Sequence, residues 1–206
     1  MSKKSNRKSR VPLTGDVHRE LRNARHYQQL LFDHEHAAQE AEMTDAAALQ
    51  AAKEAFLRDH SACLNAARSA KNYFVGAMDA SGHRQWLDQR LSPPSYKFHA
   101  DLAGSIFHER SIVLSRCVGV RVEIRQGSAS FEVVEAIDGS FSLEPRTGNA
   151  AKVPMRYIYN ADDLGPALAS LLAAIGPSPQ AILDLLDEYI GGLAQVAKSA
   201  ARNGRF

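Results

Sequence analysis

A seven-residue repeat constrains this chain more than any other feature of its sequence. Its five members lie in the segment that follows Thr44–Asp45: Leu49, Phe56, Cys63, Ala70 and Ala77. A spacing of seven returns to the same helical face every two turns, which predicts a long helix capped at Thr44–Asp45 and running to about Met78. Because several residues of this seam are small, a partner helix can approach it closely.

The segment before the repeat supplies such a partner. Pro12 is followed by the capping residues Thr14 and Asp16, and then by apolar residues at helical spacing: Val17, Leu21, Ala24 and Leu31. This pattern predicts a first helix that ends near Met43. Two long consecutive helices most simply form an antiparallel hairpin, although the same seam could instead serve a homodimer.

Four further helical segments are predicted. A short one spans 83–91 around the single tryptophan, and a longer one spans 96–110 after a proline pair. Another begins at Asn160–Asp163. The last follows Ser178–Pro179, where a capping serine precedes a proline at the first helical position, and it is amphipathic.

Between these helices the hydrophobic period changes from helical to alternating. Apolar and polar residues alternate from Val118, and Asp138–Gly139 is a strong hairpin turn. We therefore predict an antiparallel β-meander of three or four strands over 115–160. The predicted fold class is α+β, mainly α, an antiparallel helical bundle with an inserted meander and C-terminal helices. Residues 1–12 are expected to be a disordered basic tail, and 13–206 a single helical domain.

Charge and composition narrow the classes of partner. The first ten residues hold five basic side chains and no acid, so removing them turns the formal net charge from +2 to −3. The tail has no apolar core like that of a secretory signal, and no apolar run is long enough to span a membrane. The two cysteines, Cys63 and Cys117, form neither a disulfide framework nor a metal knuckle. These features favour a cytoplasmic protein with no membrane partner.

The histidines do not form a recognisable metal motif. His34 and His36 would lie about 200° apart on a helix, so they cannot share one ion. His108 is followed by Glu109, but the second histidine of a zinc-protease helix is missing. We predict no metal site.

Other catalytic motifs are equally incomplete. Asp101, Ser105 and His108 share one helical face at spacings of four and three. A catalytic triad needs a buried acid and a presented hydroxyl, which neighbours on one exposed face rarely provide. The sequence also has no glycine-rich phosphate loop, nucleophile elbow or dinucleotide fingerprint, so no cofactor is expected.

One family resemblance rests on the segment Leu102-Ala103-Gly104-Ser105-Ile106-Phe107-His108-Glu109 and, upstream, on Leu64-Asn65-Ala66-Ala67-Arg68-Ser69. Together with the order of the helices, these segments resemble the HEPN superfamily of helical bundles over about residues 15–115. The resemblance implies a metal-independent RNase or an RNA-binding partner of bacterial toxin–antitoxin or defence systems, and often a dimer. The meander and the last two helices lie outside it.

The family's site consists of an arginine, a following polar residue and a histidine. His108 matches the histidine, but Ala103 occupies the arginine position and Gly104 the polar one. In the family's chemistry the arginine stabilises charge on the phosphate and the histidine moves a proton, and alanine does neither. Arg68 or Arg110 could supply the missing charge.

Three functions follow from these residues. The leading one is a non-catalytic HEPN-like interaction or dimerisation module that contacts RNA. The second is a metal-independent RNase that uses His108 with a displaced arginine, Arg68 or Arg110. The third is a structural helical protein that binds a protein partner, which an exposed apolar face on the last helix would favour.

Overall fold

The computed structural model describes residues 13–40, 46–108, 115–117, 122–126, 129–135, 141–145, 156–159, 161, 164–176 and 180–205. The helices within these ranges are α1 (Leu13–Glu40), α2 (Ala46–Ala80), α3 (Arg84–Arg90), α4 (Pro94–His108), α5 (Pro166–Ile175) and α6 (Ile182–Arg202). The strands are β1 (Ser115–Cys117), β2 (Val122–Gln126), β3 (Ala129–Glu135), β4 (Phe141–Pro145), β5 (Arg156–Tyr159) and β6 (Gln180–Ala181). The predicted class, α+β and mainly α, is confirmed. The predicted tail at 1–12 lies outside the described residues.

The two long helices form the predicted antiparallel hairpin. The Cys63 thiol donates a hydrogen bond to the Ala24 carbonyl, and His34, further along α1, bonds Asp59, which lies earlier in α2. Phe56 and the other described members of the seven-residue repeat are buried in the core of the same chain. The seam is therefore covered by α1 and is not open to a second copy.

The N-termini of two helices differ from their predicted caps. α1 begins at Leu13, so Thr14 and Asp16 lie within its first turn and do not precede it. α6 begins at Ile182 with Ala181 as its N-cap, because Ala181 pairs with Ile158 and extended pairing delays the helix. Ser178–Pro179, the predicted start, lies outside the described residues.

The sheet prediction is correct in part. β2, β3 and β4 pair antiparallel in sequence order, as a meander does. β5 is not its fourth strand, since it pairs antiparallel with β1 on one side and with β6 on the other. The predicted turn at Asp138–Gly139 lies outside the described residues. Side-chain alternation predicts strands, but the partner of each strand depends on contacts between distant segments.

The core lies where α4, α6 and β5 close over the hairpin. α6 contributes most of its apolar face, and Leu186, Ile190 and Leu193 are no more than 2% exposed. The exposed apolar face that would favour a partner-binding protein is therefore absent at these three positions. From β5, Tyr157 and Tyr159 point into the same core.

Candidate functional site

The arginine position of the HEPN resemblance lies on the buried side of α4. Ala103 is 1% exposed, and it packs beside Leu102 in the core. A charged side chain at this position would have to be desolvated at a cost of several kcal/mol. The packing of this fold therefore disfavours an arginine at position 103.

Arg68 on α2 reaches the same position from the neighbouring helix. Its Nη1 donates to the carbonyl oxygen of Ala103 at 3.5 Å, the outer limit of a hydrogen bond. Lys71 follows one turn later on α2. Burial lowers the pKa of Lys71, while the nearby carboxylate of Asp101 on α4 acts in the opposite direction. The structure therefore brings a guanidinium and an ammonium to the α2–α4 surface.

The other two predicted site residues are only partly placed. His108 is the last residue of α4, five positions after Ala103, which corresponds to about 7.5 Å along a helix axis. Its side chain and the whole of Arg110 lie outside the described part of the chain. Of the predicted set, the structure thus brings Arg68 to α4.

A separate cluster of polar side chains, which consists of His34, Arg58 and Asp59, connects α1 to α2. His34 Nε2 lies 2.8 Å from Asp59 Oδ2, and Arg58 Nε donates to Oδ1 of the same carboxylate at 3.3 Å. Burial raises the pKa of Asp59, but the hydrogen bonds from Arg58 and His34 outweigh it and lower the pKa overall. The carboxylate is therefore ionised and holds the two helices together. Among the described residues no group of three or more His, Cys, Asp or Glu side chains could hold a metal ion.

Two histidines lie fully inside the core. The first, His60, has its Nε2 2.5 Å from the hydroxyl of Tyr159. The second, His99, donates from Nδ1 to the carbonyl of Ser95 at 2.7 Å, because a carbonyl oxygen can only accept. Its Nε2 is left as a bare acceptor that makes no hydrogen bond with a described residue, and the ring stacks flat on Tyr189 at 4.6 Å.

These core groups are uncharged near neutral pH. Burial lowers the pKa of His60 to about 3 and that of His99 to about 4. Burial also raises the pKa of the Cys63 thiol to about 12 and that of the Tyr159 hydroxyl well above its ordinary value. Since none of them changes charge near pH 7, they contribute hydrogen bonds and packing to the core, without a base poised for catalysis.

Glu35 is a buried acid that the structure adds to the candidates. It is 8% exposed, and its Oε1 accepts a hydrogen bond from the backbone N–H of Tyr157 at 2.8 Å. Burial raises the pKa of Glu35 to about 7, against the hydrogen bond from Tyr157 and the charge of Arg156, which lower it. Glu35 therefore titrates near neutral pH while it connects α1 to β5.

Sequence reasoning missed these buried polar residues, although one signal was present. His60 lies four residues after Phe56 and three before Cys63, so it shares the buried face of the seam. Periodicity alone would have placed it in the core. Glu35 has no such signal, because its partner is the backbone of a strand more than a hundred residues away.

Comparison with known proteins adds no relative to this picture. No family model matches the chain, and neither does any curated protein or solved structure. In the part of the chain that the structure describes, no helix has the length and apolarity needed to cross a membrane. The fold and the site geometry define the class as a mainly helical α+β protein, and the HEPN resemblance stays a prediction.

Proposed function

We propose that this chain is a non-catalytic, HEPN-like helical module of the cytoplasm that contacts RNA through its α2–α4 surface. The observation that carries the proposal is the hydrogen bond from Arg68 to the carbonyl of Ala103. It brings a guanidinium to the position where the resembled family has its arginine, while the position itself is buried alanine. The surface can thus attract a phosphate without the family's own catalytic pair.

The absence of catalysis follows from the chemistry of the missing side chain. A cleaving site needs a fixed cation that stabilises the charge developing on the phosphate. Ala103 offers none. The Arg68 guanidinium, which comes from α2, lies at the backbone carbonyl of Ala103 on α4. A guanidinium at this place can neutralise a bound phosphate.

Phosphate contacts predict a definite dependence on salt. Each lysine or arginine that neutralises a phosphate releases counterions, so binding weakens as salt rises. Arg68 and Lys71 lie three residues apart on α2 and therefore share a face. Loss of either residue should weaken the binding of every RNA sequence to a similar extent. It should also reduce the slope of log affinity against log salt concentration by about one.

The test is fluorescence anisotropy with a labelled single-stranded RNA over a range of salt concentrations. We expect Arg68→Gln and Lys71→Gln to bind more weakly and with a shallower salt slope, and Arg68→Lys to retain part of the affinity. Arg19→Gln is the matched control, because Arg19 is an exposed arginine paired to Asp16 on α1. RNA binding that is absent, or equal in Arg68→Gln and the control, would overturn the proposal.

The same contact favours a second function, a metal-independent RNase. Arg68 meets α4 at Ala103, five residues before His108 at the end of the same helix. In that case Arg68 would hold the phosphate and His108 would move the proton. Cleavage with a chelator present, lost in both His108→Ala and Arg68→Gln, would establish this function in place of the first.

Self-association is the other part of the leading proposal. The seven-residue seam is covered within one chain, so a homodimer has to use a different face. Light scattering of the purified protein during gel filtration measures its mass directly. A monomer at all concentrations would remove dimerisation from the proposal and leave RNA or a protein partner.

A further inference from the structure

Trp86, the only tryptophan of the chain, has two arginines stacked on it. The guanidinium carbon of Arg90 lies 4.3 Å from the centre of the indole ring, and that of Arg205 lies 4.8 Å from it. Both distances are well inside the range of cation–π attraction. The two guanidinium carbons are consequently at most 9.1 Å apart, the total of these distances.

Arg90 reaches the ring from the same short helix as Trp86, and Arg205 reaches it from the C-terminal end of the chain. Arg90 follows Trp86 by four residues on α3, so the two share a helical face. Arg205 arrives after α6, where Gly204 has a φ of +60° and turns the chain back. The backbone N–H of Arg205 then donates to the carbonyl of Ala200 at 3.0 Å, which fixes the backbone from which its side chain extends.

These two cations differ from the paired arginines of the surface. Arg19, Arg84 and Arg156 each have a carboxylate oxygen at 2.7 Å. Within the described ranges neither Arg90 nor Arg205 has a carboxylate partner, and the Nε of Arg205 is buried without a hydrogen bond. A buried donor of this kind costs about 1–3 kcal/mol or more when it is charged, and two adjacent cations also repel each other. An anion would relieve both costs.

We propose that Arg90 and Arg205, held against Trp86, form a binding site for phosphate groups. Guanidinium groups present forks of N–H donors that match phosphate oxygens, and two of them balance the two charges of a phosphate monoester better than the single charge of a carboxylate. Because both guanidinium groups stack on the indole ring, a base has to compete with them for that ring, so the site favours phosphate over a base. The phosphate belongs to a small phosphate compound or to a nucleic-acid backbone, and the second case rests on the proposed RNA contact.

Trp86 also provides the assay, since its fluorescence is the only tryptophan signal of the protein. Inorganic phosphate, pyrophosphate and a short single-stranded RNA are titrated separately into the folded protein, with chloride at matched ionic strength as a blank. We expect a saturable change in Trp86 emission with at least one phosphate ligand. The apparent affinity should fall at least tenfold in Arg90→Gln and in Arg205→Gln, and less in Arg90→Lys. Arg202→Gln is the matched control, because Arg202 is an exposed arginine in the last turn of α6 and does not stack on Trp86.

The outcomes separate this site from the proposed RNA contact. A response to pyrophosphate but not to RNA assigns the site to small phosphate compounds and holds even if the protein binds no RNA. A response to RNA that needs Arg90 and Arg205 assigns it to the nucleic-acid backbone. If no ligand changes the emission, or if the change persists in the Arg90→Gln/Arg205→Gln double variant, the site is refuted. RNA binding that depends on Arg68 would stand in that case.

Discussion

Glu35 ties the first helix to strand β5 through a single hydrogen bond. Its carboxylate accepts the N–H of Tyr157 at 2.8 Å, and burial raises its pKa from an ordinary 4.5 to about 7. Arg156 attracts the charged form and Asp184 repels it, and these are the charged neighbours that act on the group. Glu35→Gln keeps the acceptor oxygen and the volume of the side chain while it removes the charge.

The sign of the effect follows from proton linkage. Because the folded protein binds this proton more tightly than the unfolded chain, the stabilisation is complete below the unfolded pKa and is lost as the pH rises through about 7. A shift of this size corresponds to at most about 3.4 kcal/mol, and partial solvent access reduces the expected stabilisation to about 1.5 kcal/mol. Glutamine does not titrate, so the free energy of unfolding of Glu35→Gln does not fall in this way. The variant should therefore be more stable than the wild type at alkaline pH.

The measurement is urea unfolding of the wild type and Glu35→Gln at about pH 5 and about pH 9. The difference between the two proteins cancels the titration of every other group, the buried histidines included. We expect the wild type and Glu35→Gln to have nearly equal free energies of unfolding at the lower pH. At the higher pH we expect Glu35→Gln to be more stable. Glu35→Ala, which removes the acceptor as well, should be less stable at both. A pH-independent difference between the wild type and Glu35→Gln would refute the reasoning.

Three further changes test the packing of the helices. Gly76→Ala should raise the free energy of unfolding by about 1 kcal/mol, because no described atom lies within 4 Å of the added Cβ and alanine favours the helix. Gly192→Ala should instead lower it by about 1–3 kcal/mol, since the new Cβ would collide with the Tyr96 hydroxyl, and adding Tyr96→Phe should restore part of the loss. In a Cys117→Ser background Cys63 should react with a thiol reagent only in denaturant, because burial raises its pKa to about 12. Equal effects of the two alanines, or rapid modification of the native thiol, would contradict these assignments.

Part of the candidate site was readable from the sequence. The HEPN-like segment predicts a site on α4, for which Arg68 or Arg110 could supply the missing charge. Arg68 donates a hydrogen bond to the Ala103 carbonyl, and the side chain of His108 and the whole of Arg110 lie outside the described residues, so the site stays a prediction. The pairing of Arg205 with Trp86 joins residues more than a hundred positions apart, so no local pattern could have indicated it.

The sequence by itself determined the elements that depend on neighbouring residues. The seven-residue repeat specified α2 and its buried face, Gly82 ended that helix with a φ of +75°, and alternating residues specified the meander strands. These features follow from backbone geometry and from the period of apolar residues, both of which are local.

The tertiary structure alone decided which of the elements far apart in the chain meet. It paired β5 with β1 and β6, covered the apolar face of α6, and placed Glu35 beside the backbone of Tyr157. Each of these outcomes depends on the packing free energy of segments far apart in the chain. A polar residue such as Glu35 or His60 is buried only when that packing supplies its hydrogen-bond partner, and its own sequence neighbourhood does not encode the partner.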